Sequence, residues 1–89
     1  MNKIECIKIL DNILDLENEF NKIRTLKSKD EMIKINTELS KNLVEWYNQA
    51  KEYICGFGDE DLKNKLKETS KIINIANEID DFIKYDVKI

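Results

Sequence analysis

The chain has 89 residues, with no proline and only two glycines. A chain of this length forms one domain with a small core, and only the glycines offer a place to interrupt a helical pattern. Lysine and arginine number 15 against 18 acidic residues, for a net charge of −3. This near balance argues against a general electrostatic hold on nucleic acid or an anionic membrane. We expect one all-α domain spanning residues 1–89.

The composition also indicates a source and a compartment. Isoleucine, lysine and asparagine are abundant, a bias typical of AT-rich genomes, so a bacterial or phage origin is expected. The first residues lack a signal-peptide hydrophobic region, and no apolar run approaches the length of a membrane span. We expect a cytoplasmic protein, in the host cytoplasm if phage-encoded. There, Cys6 and Cys55 should be reduced, buried thiols at one end of the fold.

A first helix is predicted over about residues 3–25. Its central apolar stripe recurs at three- and four-residue steps. The stripe comprises Cys6, Ile9, Leu10, Ile13, Leu16, Phe20 and Ile23. Ser28 and Glu31 then form a capping-box pattern, in which the serine side chain accepts from the N3 amide. This pattern predicts that a second helix begins at about residue 29.

The second helix is predicted to end near residue 55. Its stripe comprises Met32, Ile35, Leu39, Leu43, Trp46, Ala50 and Tyr53. Trp46 lies at the middle of this stripe and is expected to be the central packing residue. Tyr47 points about 100° away from Trp46 on a helix. It is the better candidate for a contact with another protein, because it combines apolar area with a hydroxyl.

The segment from Cys55 to Gly58 predicts the end of this helix. A glycine there can adopt the left-handed conformation, and Phe57 is expected to fold back onto the helix as a hydrophobic contact. Asp59 is a good N-cap for a third helix over about residues 60–85. That helix has a stripe of Leu62, Leu66, Thr69, Ile73, Ala76 and Ile83. Supporting ion pairs are predicted for Asp59–Lys63, Asp61–Lys65 and Asp80–Lys84.

Short connections predict an up-down-up antiparallel three-helix bundle. The apolar arcs of the first and third helices are about 200° wide, where a helix covered on one side needs little more than 100°. The excess residues are Ile7, Leu10 and Leu14 in the first helix and Ile72, Ile75, Ile79 and Phe82 in the third. In a parallel pair of helices these two patches lie toward opposite ends. A two-fold axis would bring them together, so a homodimer or larger oligomer is expected.

Two other interpretations of the wide arcs remain open. The excess surface could be kept for a foreign protein. Alternatively, the bundle could be irregular, or the tail residues Val87 and Ile89 could cover the third helix. The wide arcs alone do not choose between these interpretations.

The chain contains no histidine. This absence removes the commonest general base and the commonest metal ligand, so we expect neither catalysis nor a metal or other cofactor. The acidic groups 59–61 and Glu78, Asp80, Asp81 and Asp86 lack the spacing of a calcium-binding loop. Lys63, Lys67 and Lys71 form one line without an arginine or a stacking aromatic residue, so we expect no nucleic-acid binding. Both sets are interpreted as solvated helix surface.

The function expected from these features is that of a small non-enzymatic protein-binding module. Such a module acts by occupying a partner's surface, as inhibitors, anti-defence proteins, antitoxins and immunity proteins do. The alternative is a structural or adaptor subunit whose excess apolar surface is used in its own homo-oligomer. The predicted contact residues are Ile7, Leu10, Leu14, Tyr47, Ile72, Ile75, Ile79 and Phe82. The identity of the partner is not encoded in any motif.

Overall fold

The computed structural model describes the backbone of residues 1–87 and the side chains of residues 1–85. Three helices account for almost all of this part: α1 (Lys3–Ile23), α2 (Lys29–Phe57) and α3 (Glu60–Val87). The predicted all-α three-helix bundle is confirmed, because every helix packs against both others and residues 1–87 contain no strand. Helix α1 is two residues shorter than predicted, and α2 and α3 are each two residues longer.

The bundle is elongated, with extents of 48 × 17 × 16 Å. Ion pairs show how the outer helices run. Lys3 at the start of α1 pairs with Asp59 at the start of α3, and Arg24 just after α1 pairs with Glu78 in the second half of α3. Helices α1 and α3 are therefore parallel, and α2 runs between them in the opposite direction.

Side-chain caps fix where each helix begins. Ser28 Oγ accepts from the amide of Glu31 at 3.4 Å, and Asp59 Oδ1 accepts from the amide of Leu62 at 3.2 Å. Both caps were predicted. Asn2 caps α1 in the same way, since its Oδ1 accepts from the Glu5 amide at 2.9 Å. Each cap supplies an acceptor to an amide that has no partner inside its own helix.

Helix α2 ends at Gly58, which adopts the left-handed conformation with φ of +63°. Its N–H donates to the carbonyl of Ile54 at 2.9 Å. Gly56 stays inside the helix, which is why α2 extends beyond the predicted end. Phe57 is 71% exposed. The ring still contacts the helix one turn back, because it stacks on Tyr53 with centroids 4.5 Å apart, so the predicted hydrophobic contact forms while most of the side chain remains exposed.

The two glycines should respond oppositely to alanine. Gly56→Ala is expected to stabilise the fold by about 0.5–1 kcal/mol, because a helical glycine has more freedom to lose on folding and an added Cβ meets no atom within 4 Å. Gly58→Ala should destabilise by about 1–2 kcal/mol, since an L residue is strained at positive φ. Urea unfolding of both variants checks this. Equal effects of the two substitutions would contradict the assigned end of α2.

The core runs the length of the bundle. Its buried apolar residues come from all three helices: Cys6, Leu10, Ile13, Leu16, Phe20, Ile23, Met32, Leu43, Ala50, Ile54, Leu62, Ile72, Ala76, Ile79 and Ile83. Trp46 is only partly buried against this core, so its predicted place as the central packing residue is wrong. Phe20, with no exposed surface, is the largest fully buried side chain.

Three of the predicted contact residues also belong to this core. Leu10 and Ile79 are fully buried and Ile72 is 2% exposed within the single chain. The prediction that these three form excess surface is therefore wrong. The physical reason is that each helix has two neighbours in a three-helix bundle, so it buries a wider arc than a helix covered on one side.

Candidate protein-interaction surfaces

The seam between α1 and α3 contains most of the remaining predicted contact residues. Ile7, Leu14 and Ile75 are partly buried against the core, and Phe82 is 39% exposed. The guanidinium of Arg24 lies 5.9 Å from the centre of the Phe82 ring, in the range of a cation–π contact. Of these four residues Phe82 is exposed, and Ile7 lines a cavity of about 450 Å³ between the starts of α1 and α3.

Ion pairs also make the seam polar. Lys3 Nζ lies 2.8 Å from Asp59 Oδ2, and Lys65 Nζ lies 3.0 Å from Asp11 Oδ1. These interhelical pairs use Asp59 and Lys65, whose predicted partners were Lys63 and Asp61. The third predicted pair, Asp80 with Lys84, forms at 2.9 Å. Because α1 packs closely against α3, Lys3 and Asp11 of α1 pair with Asp59 and Lys65. They take the place of the predicted partners one turn away on α3.

The Lys3–Asp59 pair has an electrostatic consequence at the start of α3. The hydrogen bond from Lys3 lowers the pKa of the Asp59 carboxyl, and the hydrogen bond from the Leu62 amide lowers it further. The same hydrogen bond to Asp59 raises the pKa of Lys3. Both shifts favour the charged forms, so the pair fastens the start of α1 to the α2–α3 turn at neutral pH.

The clearest open apolar area lies where α1 begins and α2 ends. Met1 is 53% exposed, Ile4 is 67% exposed and Phe57 is 71% exposed. The ring of Phe57 stacks on that of partly buried Tyr53, with centroids 4.5 Å apart. Met1 and Tyr53 line one cavity, and we call Met1, Tyr53 and Phe57 the end surface. Ile4 lies at the same end of the bundle, on α1. Large apolar side chains grouped in this way are typical of contacts with another protein.

A second opening runs between α2 and α3. Two adjoining cavities of about 660 and 240 Å³ share the residues Ser40, Val44, Ala76 and Asn77. The small side chains of Ser40 and Ala76 leave this space between the helices. We call it the α2–α3 groove. Val44 is 57% exposed in it.

The two ends of the α2–α3 groove differ in chemistry. Asn36 and Asp80 line one end, and Tyr47 and Ile73 line the other. Tyr47, the predicted contact residue of the second helix, is partly buried here. The structure therefore places it in the groove, apart from the predicted residues of the α1–α3 seam.

Asn36 is the functional candidate that the sequence reasoning missed. It is 8% exposed, and its Oδ1 is buried without a hydrogen-bond partner among the residues that the structure describes. Buried Thr69 differs, because its hydroxyl donates to the Leu66 carbonyl at 2.6 Å. A signal was present in the sequence, since Asn36 lies four residues after Met32, at a position where the apolar stripe of α2 continues.

Other predicted groups show no sign of chemistry. Cys6 is buried, and loss of solvation raises the pKa of its thiol. Cys55 is exposed, so the prediction that both thiols are buried is wrong for it. Among the side chains of residues 1–85, no group of three or more cysteine or acidic residues is arranged to hold a metal ion. Lys63, Lys67 and Lys71 are exposed, as expected of a solvated face. The prediction that Val87 and Ile89 cover the third helix falls outside the described parts, as do the side chains of Asp86 and Val87.

Comparisons with protein-family models, curated proteins and solved structures give no match. None of the three helices, as far as they are described, combines the length and apolar character needed to cross a membrane. The fold and the two openings on its surface are therefore the basis for a functional proposal.

Proposed function

We propose that this protein is a small non-enzymatic protein-binding module that acts by occupying the surface of a partner protein through its end surface. The roles that suit such a module are those of an inhibitor, an anti-defence protein, an antitoxin or an immunity protein of a bacterium or phage. The observation that carries the proposal is Phe57, a large aromatic side chain that is 71% exposed.

Two features of the end surface support protein binding. Phe57 stacks on Tyr53 with an angle of 27° between the rings, so the exposed ring is held in place before any partner arrives. A preorganised aromatic side chain loses little entropy on binding. Lys3 and Asp59 tie the start of α1 to the end of α2. This ion pair keeps Ile4 and Phe57 at the same end of the bundle.

The alternative function, a structural or adaptor subunit that assembles with itself, is favoured by a different observation. The α2–α3 groove is lined by Asn36, whose buried Oδ1 has no hydrogen-bond partner among the described residues. Self-association through the groove would leave the end surface open. The two roles are therefore compatible in one protein.

Capture of partners from a bacterial host lysate tests the proposed function. The tagged wild type is compared with Phe57→Ser, and bound proteins are quantified by mass spectrometry. Loss of a central aromatic contact typically costs 2 kcal/mol or more, so we expect the specific partner to fall about tenfold or more with Phe57→Ser. Stability should change by less than about 0.5 kcal/mol, because the side chain is mostly exposed.

Ile33→Ser is the matched control. Ile33 is 46% exposed on α2, at the opposite end of the bundle. The Ile33→Ser substitution also removes an exposed apolar side chain from α2. Because this side chain lies far from the end surface, partner capture should remain at the wild-type level. Equal capture by the wild type and Phe57→Ser, or equal loss with both variants, would contradict binding through the end surface.

A further inference from the structure

We propose that the end surface binds an arginine side chain of the partner protein. This arginine lies over the open face of the Phe57 ring and pairs with the acidic side chains around it. The partner therefore presents an arginine within a positively charged surface. The inference rests on the proposed function, because it names the chemistry of the partner that the end surface occupies.

The chain itself contains a filled arginine site of this kind at the opposite end of the bundle. The guanidinium of Arg24 lies 5.9 Å from the centre of the Phe82 ring, and its Nη2 lies 3.7 Å from Oε2 of Glu78. Arginine suits this arrangement, because its planar guanidinium stacks on an aromatic face while its N–H groups donate to a carboxylate. An exposed phenylalanine and a glutamate one turn apart on α3 supply the two halves of the site.

The end surface has the same two groups without an arginine. Phe57 is 71% exposed, and Tyr53 stacks on one face of its ring, so the other face is open. Glu60 is exposed three residues further along, at the start of α3. The last turn of α2 contains no basic residue, and Lys3 at this end is already paired with Asp59.

The excess negative charge of the chain is also concentrated at this end. Residues 1–5 and 51–61 together contain five acidic side chains and two lysines, a balance of −3. The whole chain has 18 acidic and 15 basic side chains, so the other residues contain 13 of each and carry no net charge. A negative end on an otherwise balanced molecule favours a positively charged partner surface and speeds the encounter with it.

Helix stability accounts for only part of this charge. Glu60 and Asp61 lie in the first turn of α3, where acidic residues interact favourably with the positive end of the helix dipole. Glu52 lies near the C-terminal end of α2, where an acidic residue gains nothing from the dipole. Its side chain lines a cavity of about 210 Å³ together with Met1 and Tyr53. A carboxylate therefore borders the end surface on the α2 side as well.

A second copy of this chain does not supply the arginine. Arg24 is the single arginine in the sequence, and it is already held by Phe82 and Glu78. Two copies that met through their end surfaces would also bring two negative ends together, and like charges disfavour such a contact. The arginine therefore comes from a foreign protein.

Titration of the purified, isotope-labelled protein with synthetic peptides tests this site by NMR. One short peptide alternates arginine with alanine, and a second has lysine in place of each arginine. Amide shifts should change at the start of α1 and around residues 53–61. The arginine peptide should bind about threefold or more tightly than the lysine peptide, because a guanidinium stacks on the ring and also forms paired hydrogen bonds.

Two substitutions separate the ring from the charge. Phe57→Leu keeps an apolar side chain and removes the aromatic face, so affinity for the arginine peptide should fall about threefold. Glu60→Gln removes a carboxylate without changing the size of the side chain and should also weaken binding. Glu38→Gln is the matched control, an exposed glutamate in the other half of α2, and should bind as the wild type does. Circular dichroism checks that each variant keeps its helices.

No binding of the arginine peptide at millimolar concentration would overturn the arginine site. Equal affinity for the two peptides, equal affinity of the wild type and Phe57→Leu, or shifts centred on acidic residues elsewhere, such as Asp81, would overturn it as well. None of these results bears on the capture of a partner from lysate, which Phe57→Ser tests. Failure of the arginine site and failure of the proposed function can therefore be told apart.

Discussion

Replacing Ile79 with lysine is expected to unfold the chain. Ile79 has no exposed surface and lies in the core between the three helices. A charged ammonium cannot be buried there without a partner, and the cost of several kcal/mol matches the total stability of about 5–15 kcal/mol typical of a small domain. Circular dichroism at 25 °C should show loss of most helical signal.

Phe82→Lys is the control for this substitution. Phe82 is three residues further along α3 and 39% exposed. A lysine there can extend into solvent, so we expect the helical signal to be retained and the stability to fall by about 1 kcal/mol or less. A folded, monomeric Ile79→Lys protein would contradict the placement of Ile79 in the core. It would instead support the sequence-based prediction that Ile79 lies at a dimer contact.

Phe20→Ala should have the second largest effect. Phe20 is fully buried, so truncation leaves a cavity and is expected to cost about 3–5 kcal/mol in the free energy of unfolding. Trp46→Ala should cost less, although tryptophan is larger, because Trp46 is only partly buried. Urea denaturation of both variants gives the comparison. A larger loss for Trp46→Ala would contradict the assigned centre of the core.

The ends of the helices could be predicted because their signals are local. Ser28 and Asp59 each cap an amide three residues ahead, a pattern that the sequence shows directly. The end of α2 was placed too early, because two glycines stand close together and either could adopt positive φ. Only the structure shows that Gly58 does so and that Gly56 remains helical.

The surfaces could not be predicted to the same extent. The width of an apolar arc shows how much of a helix avoids water, but not whether its neighbour belongs to the same chain. Leu10 and Ile72 were therefore assigned to an interface, and they are buried by α1, α2 and α3 themselves. Phe57 shows the opposite error, since it makes the predicted contact one turn back, with Tyr53, and is nevertheless 71% exposed.

Hydrogen exchange tests most directly whether the protein acts through its end surface. The first amides of α1 lack partners within the helix, apart from those that Asn2 caps, so exchange should be fast there in the free chain. The amides around residues 53–58 are hydrogen-bonded, as Gly58 is to Ile54, and should exchange through local opening of the helix end. In complex with the captured partner, we predict that exchange slows at both segments. Slowing confined to the α1–α3 seam around Leu14 and Ile75, with the end surface unchanged, would contradict this function.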